Sequence, residues 1–212
     1  MNTAQPVTAL KPQAALVWDL PVRVFHWSLV LSFAGAWLSA ESEYWKLWHL
    51  GFGYSMALLV AFRLVWGLVG TRYARFTQFV RGPAAVKAYF RSYSRGTPQH
   101  HVGHNPAGAL AILGILVLVV LTVLSGYASY EEIGGEWLSD LHDAMASLLM
   151  GIVVLHVAAV IVTSVLHKEN LIRAMLTGKK LIAPDQAIKY AGTGVALLLL
   201  CAVGGVWWFV FA

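Results

Sequence analysis

Cysteine occurs once in this sequence, at Cys201, and charged residues make up only 12% of its 212 positions. A lone cysteine inside an apolar stretch excludes a disulfide framework, a cysteine-rich metal site and, with no C-x-x-C-H motif, any cofactor tethered through thioethers. So little charge, against about 25% in ordinary soluble domains, excludes a water-exposed globule. What takes its place is apolar: 58% of residues are hydrophobic and the mean hydropathy is +0.67. The chain is an integral membrane protein. Runs long enough for the ~20 residues that cross a bilayer predict five spans, at 22–40, 47–70, 106–129, 141–166 and 191–211. The first lacks a small-residue cleavage site, so it is expected to be a permanent helix and not a signal peptide. No internal repeat or low-complexity segment is present.

Acidic residues are also absent, locally. The segment "TRYARFTQFVRGPAAVKAYFRSYSRG" carries Arg72, Arg75, Arg81, Lys87, Arg91 and Arg95 with no acid, and the segment after the fourth span carries Lys168, Arg173, Lys179, Lys180 and Lys189. The connections at 41–46 and 130–143 hold instead Glu41, Glu43, Glu131, Glu132, Glu136, Asp140 and Asp143. The net charge of +5 therefore reflects topology and not nucleic-acid binding. By the positive-inside rule the basic segments are cytoplasmic, the N-terminus inside and the C-terminus outside, as in a multi-pass protein of a bacterial inner membrane. Trp18, Trp45, Trp48, Trp137, Trp207 and Trp208 fall at predicted helix ends, where indoles favour the headgroup layer. The expected organisation is all-α: an N-terminal segment 1–20, a four-helix domain 21–170 with the basic loop 71–104, a linker 171–190 and a fifth helix 191–212.

Four of eight histidines lie within spans: His26, His49, His142 and His156. Ionisable side chains in a bilayer are costly and mark function. His142 and His156 are fourteen residues apart, hence ~21 Å in depth and only ~40° around one helix, and they share a face. With the charge map, depth sorts the four into an outer layer, His49 and His142, and an inner layer, His26 and His156. Two imidazoles from facing helices at one depth suit the axial positions of a haem, and bundle cores build cofactor sites this way. Zinc or copper would want three or four ligands in a layer. Arg63, fourteen residues after His49, shares its face near the inner layer, either to pair with a haem propionate or to snorkel to the surface. Arg72, with Tyr73, is a further candidate for inner propionates. Gly35, Gly51, Gly53, Gly114, Gly126 and Gly151 give small surfaces suited to a flat macrocycle but chiefly to helix packing. Asn105 and Pro106 read as a helix N-cap and first turn. His104 reads as an exposed interfacial histidine able to pass protons to a quinone, and His100, His101 and His167 as surface residues.

"VWDLPVRVFHW", "LWHLGFGYSMALLVAFRLVWGLVGTRYARF", "GHNPAGAL" and the His142/His156 pair together resemble the bacterial diheme b-type cytochromes, the family that includes the cytochrome b subunit of nickel–iron hydrogenases and bacterial cytochrome b561. The likeness spans 17–180. It implies two haem b groups on the same four histidines and redox exchange with quinone. The expected function is electron transfer across the inner membrane between the quinone pool and a periplasmic partner, a cytochrome c or a hydrogenase small subunit. Whether the chain is itself a quinone-linked oxidoreductase stays open. Two alternatives stand beside it: a superoxide:ubiquinone oxidoreductase, which would want cations at the outer haem where only Lys46 is present, and a non-redox anchor or metal transporter.

Overall fold

The computed structural model describes residues 11–212 except Pro98, with Tyr93 described in its backbone only. Half of the expected N-terminal segment, residues 1–10, therefore lies outside the described residues. The chain is mostly helical, with strand β1 at Gln13–Leu16 and helices α1 at Leu20–Ser39, α2 at Lys46–Val69, α3 at Phe76–Phe79, α4 at Gly82–Ser94, α5 at Pro106–Tyr130, α6 at Trp137–Leu166 and α7 at Leu171–Thr177. Strand β2 at Lys179–Ile182 and helix α8 at Thr193–Phe211 complete it. Helices α2, extended back to Glu43, α5, α6 and α8 are long and apolar enough to cross a membrane.

Local chemistry sets the starts of the helices. Asp19 caps α1, its carboxylate accepting the Val22 amide at 2.8 Å with Pro21 in the first turn. Asn105 caps α5 in the same way, accepting the Gly108 amide at 2.7 Å with Pro106 in the first turn, as expected. Each cap satisfies an amide that the helix itself leaves open.

Two hairpins, α1–α2 and α5–α6, form the bundle. Helix α2 packs on α1, α5 and α8, whereas α6 packs along α5 and makes no extended contact with α1 or α2. Phe25, Leu59, Val119, Leu149 and Leu199 join five helices in one core. Lipid is as apolar as these side chains, so close packing and not water exclusion holds them together. A second core, around Val17, Trp18, Tyr73, Ala74 and Ile182, lies at the end that carries the basic segments.

That end departs from the all-α expectation. Strand β1 pairs antiparallel with β2, Gln13 opposite Ile182 and Leu16 opposite Lys179, so the expected N-terminal segment and linker clasp each other. Gly178 closes the clasp. Its carbonyl accepts the amides of Val17 and Trp18 at 2.8 and 3.0 Å, and its φ of +79° would put a Cβ 2.6 Å from the Trp18 carbonyl, so only glycine fits. Trp18, just ahead of α1, is consequently buried in the second core, because the clasp folds over it. The basic loop 71–104 likewise contains α3 and α4.

Candidate functional site

The two histidine layers form where α6 faces α1 and α2. His49 sits one turn into α2, and His142 sits in the second turn of α6. Their ring centroids are 6.0 Å apart. The Nδ1 of His49 bonds the Ala36 carbonyl of α1 at 2.9 Å, and the Nδ1 of His142 bonds the Thr122 carbonyl of α5 at 2.8 Å. A carbonyl only accepts, so Nδ1 carries the proton in both rings and each Nε2 keeps its lone pair. Second bonds of this kind orient imidazoles that ligate metals. An iron brought by a cofactor would be held by these two imidazoles, which lie within reach of one another.

Gly126 makes room for His142, since a Cβ there would stand 2.7 Å from the ring. Gly35 and Gly51 meet Phe52 and Trp207, the expected packing role. Gly53, Gly114 and Gly151 have nothing within 4 Å of the Cβ position, so packing does not explain them. Gly53 lies one turn beyond His49, ~40° away around α2.

At the opposite end, His26 and His156 are close enough for their charges to interact. The Nδ1 of His26 is buried without a partner, and its ring stands edge-on to Trp27 at 5.0 Å. Arg63 comes to the same end but does not snorkel. It is 3% exposed, donates from Nη2 to the Ala74 carbonyl at 2.9 Å, stacks 4.7 Å over Phe76, and leaves Nη1 buried with no partner. A buried guanidinium with an open donor asks for an anion.

His104 differs from its expectation. It is packed between Trp18 at 4.5 Å and Phe79 at 4.9 Å, not exposed, because the clasp brings Trp18 onto it. Burial, reinforced by the nearby charge of Arg63, lowers its pKa to about 3, which keeps the ring neutral. Arg72 is exposed, its guanidinium 5.5 Å from the Tyr73 ring, and it lines a cavity together with His104. His100 and His167 lie against each other at 5.7 Å, and His101 contacts Tyr89.

Two residues given no part in a site by the sequence matter here. Asp19, 1% exposed, also accepts the Thr71 hydroxyl at 2.6 Å and the Trp66 indole at 3.1 Å, tying α1 to the end of α2. The "DLP" pattern was its signal, an N-cap residue before a first-turn proline. Lys180, 6% exposed, donates to the Val102 carbonyl at 3.0 Å and pairs with Glu169 at 3.1 Å, and no local pattern marks it.

Among the described residues, no three His, Cys, Asp or Glu side chains converge to hold a metal ion by themselves. The donor set fits a group that brings its own equatorial ligands and carboxylates: paired imidazoles, an open arginine donor, and a helix α6 whose only buried residues are Leu138 and Leu149. A family model described as prokaryotic cytochrome b561 matches residues 17–178. The chain belongs to the prokaryotic cytochrome b561 family. It is therefore a multi-pass membrane cytochrome of b type, an electron-transfer protein whose cofactor is haem b. It is 25% identical over 223 residues to the probable Ni/Fe-hydrogenase B-type cytochrome subunit of Azotobacter vinelandii, covering 83% of this chain and 92% of that one. It is 27% identical over 143 residues to the probable Ni/Fe-hydrogenase 1 B-type cytochrome subunit of Escherichia coli (strain K12), covering 55% and 60%. The corresponding subunit of Rhodobacter capsulatus is 20% identical over 218 residues, with 80% and 82% covered. No solved structure gives a significant match.

Proposed function

We propose that this cytochrome is a two-haem conduit carrying electrons across a bacterial inner membrane between a periplasmic partner and the quinone pool. His49 with His142, and His26 with His156, hold the two groups, and Arg63 binds a propionate of the second. When bound, haem iron supplies one-electron transfer. The residues of the chain fix the ligand tautomers, exclude water and neutralise carboxylates. The observation that carries the reading is the outer pair: two rings 6.0 Å apart, each held through Nδ1 by a carbonyl of a neighbouring helix so that Nε2 is free.

Five spans fit this better than four. Helix α1 has twenty residues, or ~30 Å at 1.5 Å per residue, enough for a hydrocarbon core. Strand β1 bonds β2, and β2 lies two crossings, α5 and α6, beyond the basic loop. Both strands then share the side of that loop, which supports a crossing of α1 and α2 as a pair. The positive-inside rule makes that side cytoplasmic. The relatives' names point to a hydrogenase as the periplasmic partner, and a cytochrome c is the other candidate. The superoxide reading loses its one cation, since Lys46 pairs with Glu43 at 3.3 Å.

A reduced-minus-oxidised spectrum of the purified protein, with pyridine haemochrome counting, tests the proposal. Two b haems per chain are expected. One or none would refute the two-layer assignment.

A further inference from the structure

We propose that the basic end of the protein holds an anionic phospholipid, its phosphate among Arg72, Arg81, His100 and His101 and one acyl chain in the groove between α4 and α5. The first part is a cavity of about 230 Å³ that those four residues help to line. The second is a cavity of about 360 Å³ walled by Pro83 and Val86 of α4 and by Pro106, Ala109, Leu110 and Leu113 of α5. Both are lined by Phe79 and Arg81, so a polar chamber and an apolar groove meet at one cation.

Charge selects the occupant. Among the described residues neither lining contains an Asp or Glu, while Arg72, Arg81 and Lys87 line the two cavities and take part in no ion pair. Arg72 rests on the Tyr73 ring, a contact that leaves its N–H groups free. Glu169 stands behind His100 at 3.3 Å, but Lys180 already holds it at 3.1 Å. Such a site calls for an anion. A neutral quinone head needs no such concentration of cations, and a free phosphate has no use for the groove.

The groove is placed to receive a chain from the bilayer. Its α5 wall belongs to the first two turns of a membrane-length helix, and Leu110 is 53% exposed there. Helix α4 has the composition of a helix lying in the interface, with Tyr89 buried and Lys87 and Arg91 facing outward. Basic pockets beside membrane helices bind anionic headgroups by this combination of charge and apolar wall. The site depends neither on the number of haems nor on the direction of electron flow.

The test uses the full-length holoprotein. Native mass spectrometry after exposure to equal phosphatidylglycerol and phosphatidylcholine of matched acyl chains should find one phosphatidylglycerol retained per chain. Phosphatidylglycerol vesicles should raise the thermal unfolding midpoint by a few degrees more than phosphatidylcholine vesicles. Combined Arg81→Gln and Lys87→Gln substitutions should abolish both effects, whereas Lys168→Gln, elsewhere at the same end, should leave them. Equal retention by the double variant, an equal rise with inorganic phosphate, or a rise with a short-chain ubiquinone and none with phosphatidylglycerol would each overturn the proposal. If the double variant does not fold, the unaltered protein still decides, since no preference between the two lipids sinks it.

Discussion

At the scale of single residues, the site depends on what is missing as much as on what is present. Gly126 lends His142 the space of one methyl group, and alanine there would meet the ring at 2.7 Å. The ring would have to turn off the Thr122 carbonyl, losing the bond that fixes its tautomer. On the proposed two-haem reading, Gly126→Ala should therefore lower haem content from two per chain towards one while the remaining centre keeps its midpoint potential, as read by haemochrome counting and redox titration. Arg63 works through charge. A buried cation favours the reduced form of a nearby centre, which carries one positive charge fewer. If Arg63 serves a haem as proposed, Arg63→Gln should lower the midpoint of that haem by on the order of 60 mV, a tenfold change for one electron, and Arg63→Lys should recover part of it. His104 makes a pH-dependent contribution. Its folded pKa, about 3, lies below the ordinary 6.5, so the stability it supports is complete above pH 6.5 and is lost as pH falls towards 3. His104→Phe should flatten the acid limb of a plot of unfolding midpoint against pH.

At the scale of elements, Asp19 does the work of a whole joint. One carboxylate caps α1 and receives donors from Trp66 and Thr71. Asp19→Ala would remove the cap and leave these half-buried donors without their acceptor, a loss of roughly 1–3 kcal/mol, measurable as a lowered denaturation midpoint in detergent. The long helices were legible because apolar length is a local property, and so were the two caps, which need only three or four consecutive residues. Boundaries slipped where polarity and helicity part company: α6 begins at Trp137, ahead of the apolar run from 141, since Ser139, Asp140 and His142 are polar yet helical. The β1–β2 clasp was not legible. Four-residue strands carry too little pattern, and their partners, Gln13 and Ile182, are far apart in sequence. Everything that depends on the clasp was misread with it, including the burial of Trp18, the packing of His104 and the enclosure of Lys180. Depth and helical period are both counted along the chain and set His49 level with His142, whose rings lie 6.0 Å apart, whereas the carbonyl partners Ala36 and Thr122 lie across helix contacts that no spacing encodes.

At the scale of the whole molecule, the clasp bears on how the chain crosses the membrane. If α1 lay in the interface and only α2, α5, α6 and α8 crossed, β1 and β2 would be on opposite faces and could not share a sheet. Single cysteines introduced after Cys201→Ala provide the test, at exposed positions in three connections: Lys11→Cys, Ser94→Cys and Glu131→Cys. With five spans and the N-terminus inside, an impermeant maleimide added to intact spheroplasts should label Glu131→Cys alone, and lysis should expose Lys11→Cys and Ser94→Cys together. Labelling of Lys11→Cys alongside Glu131→Cys would mean that α1 does not cross, and that the β1–β2 pairing does not form in the membrane. Labelling of Lys11→Cys and Ser94→Cys with Glu131→Cys protected would keep the five spans and reverse the orientation. The His26/His156 pair would then face the outside, and the two ends of the conduit would exchange their partners.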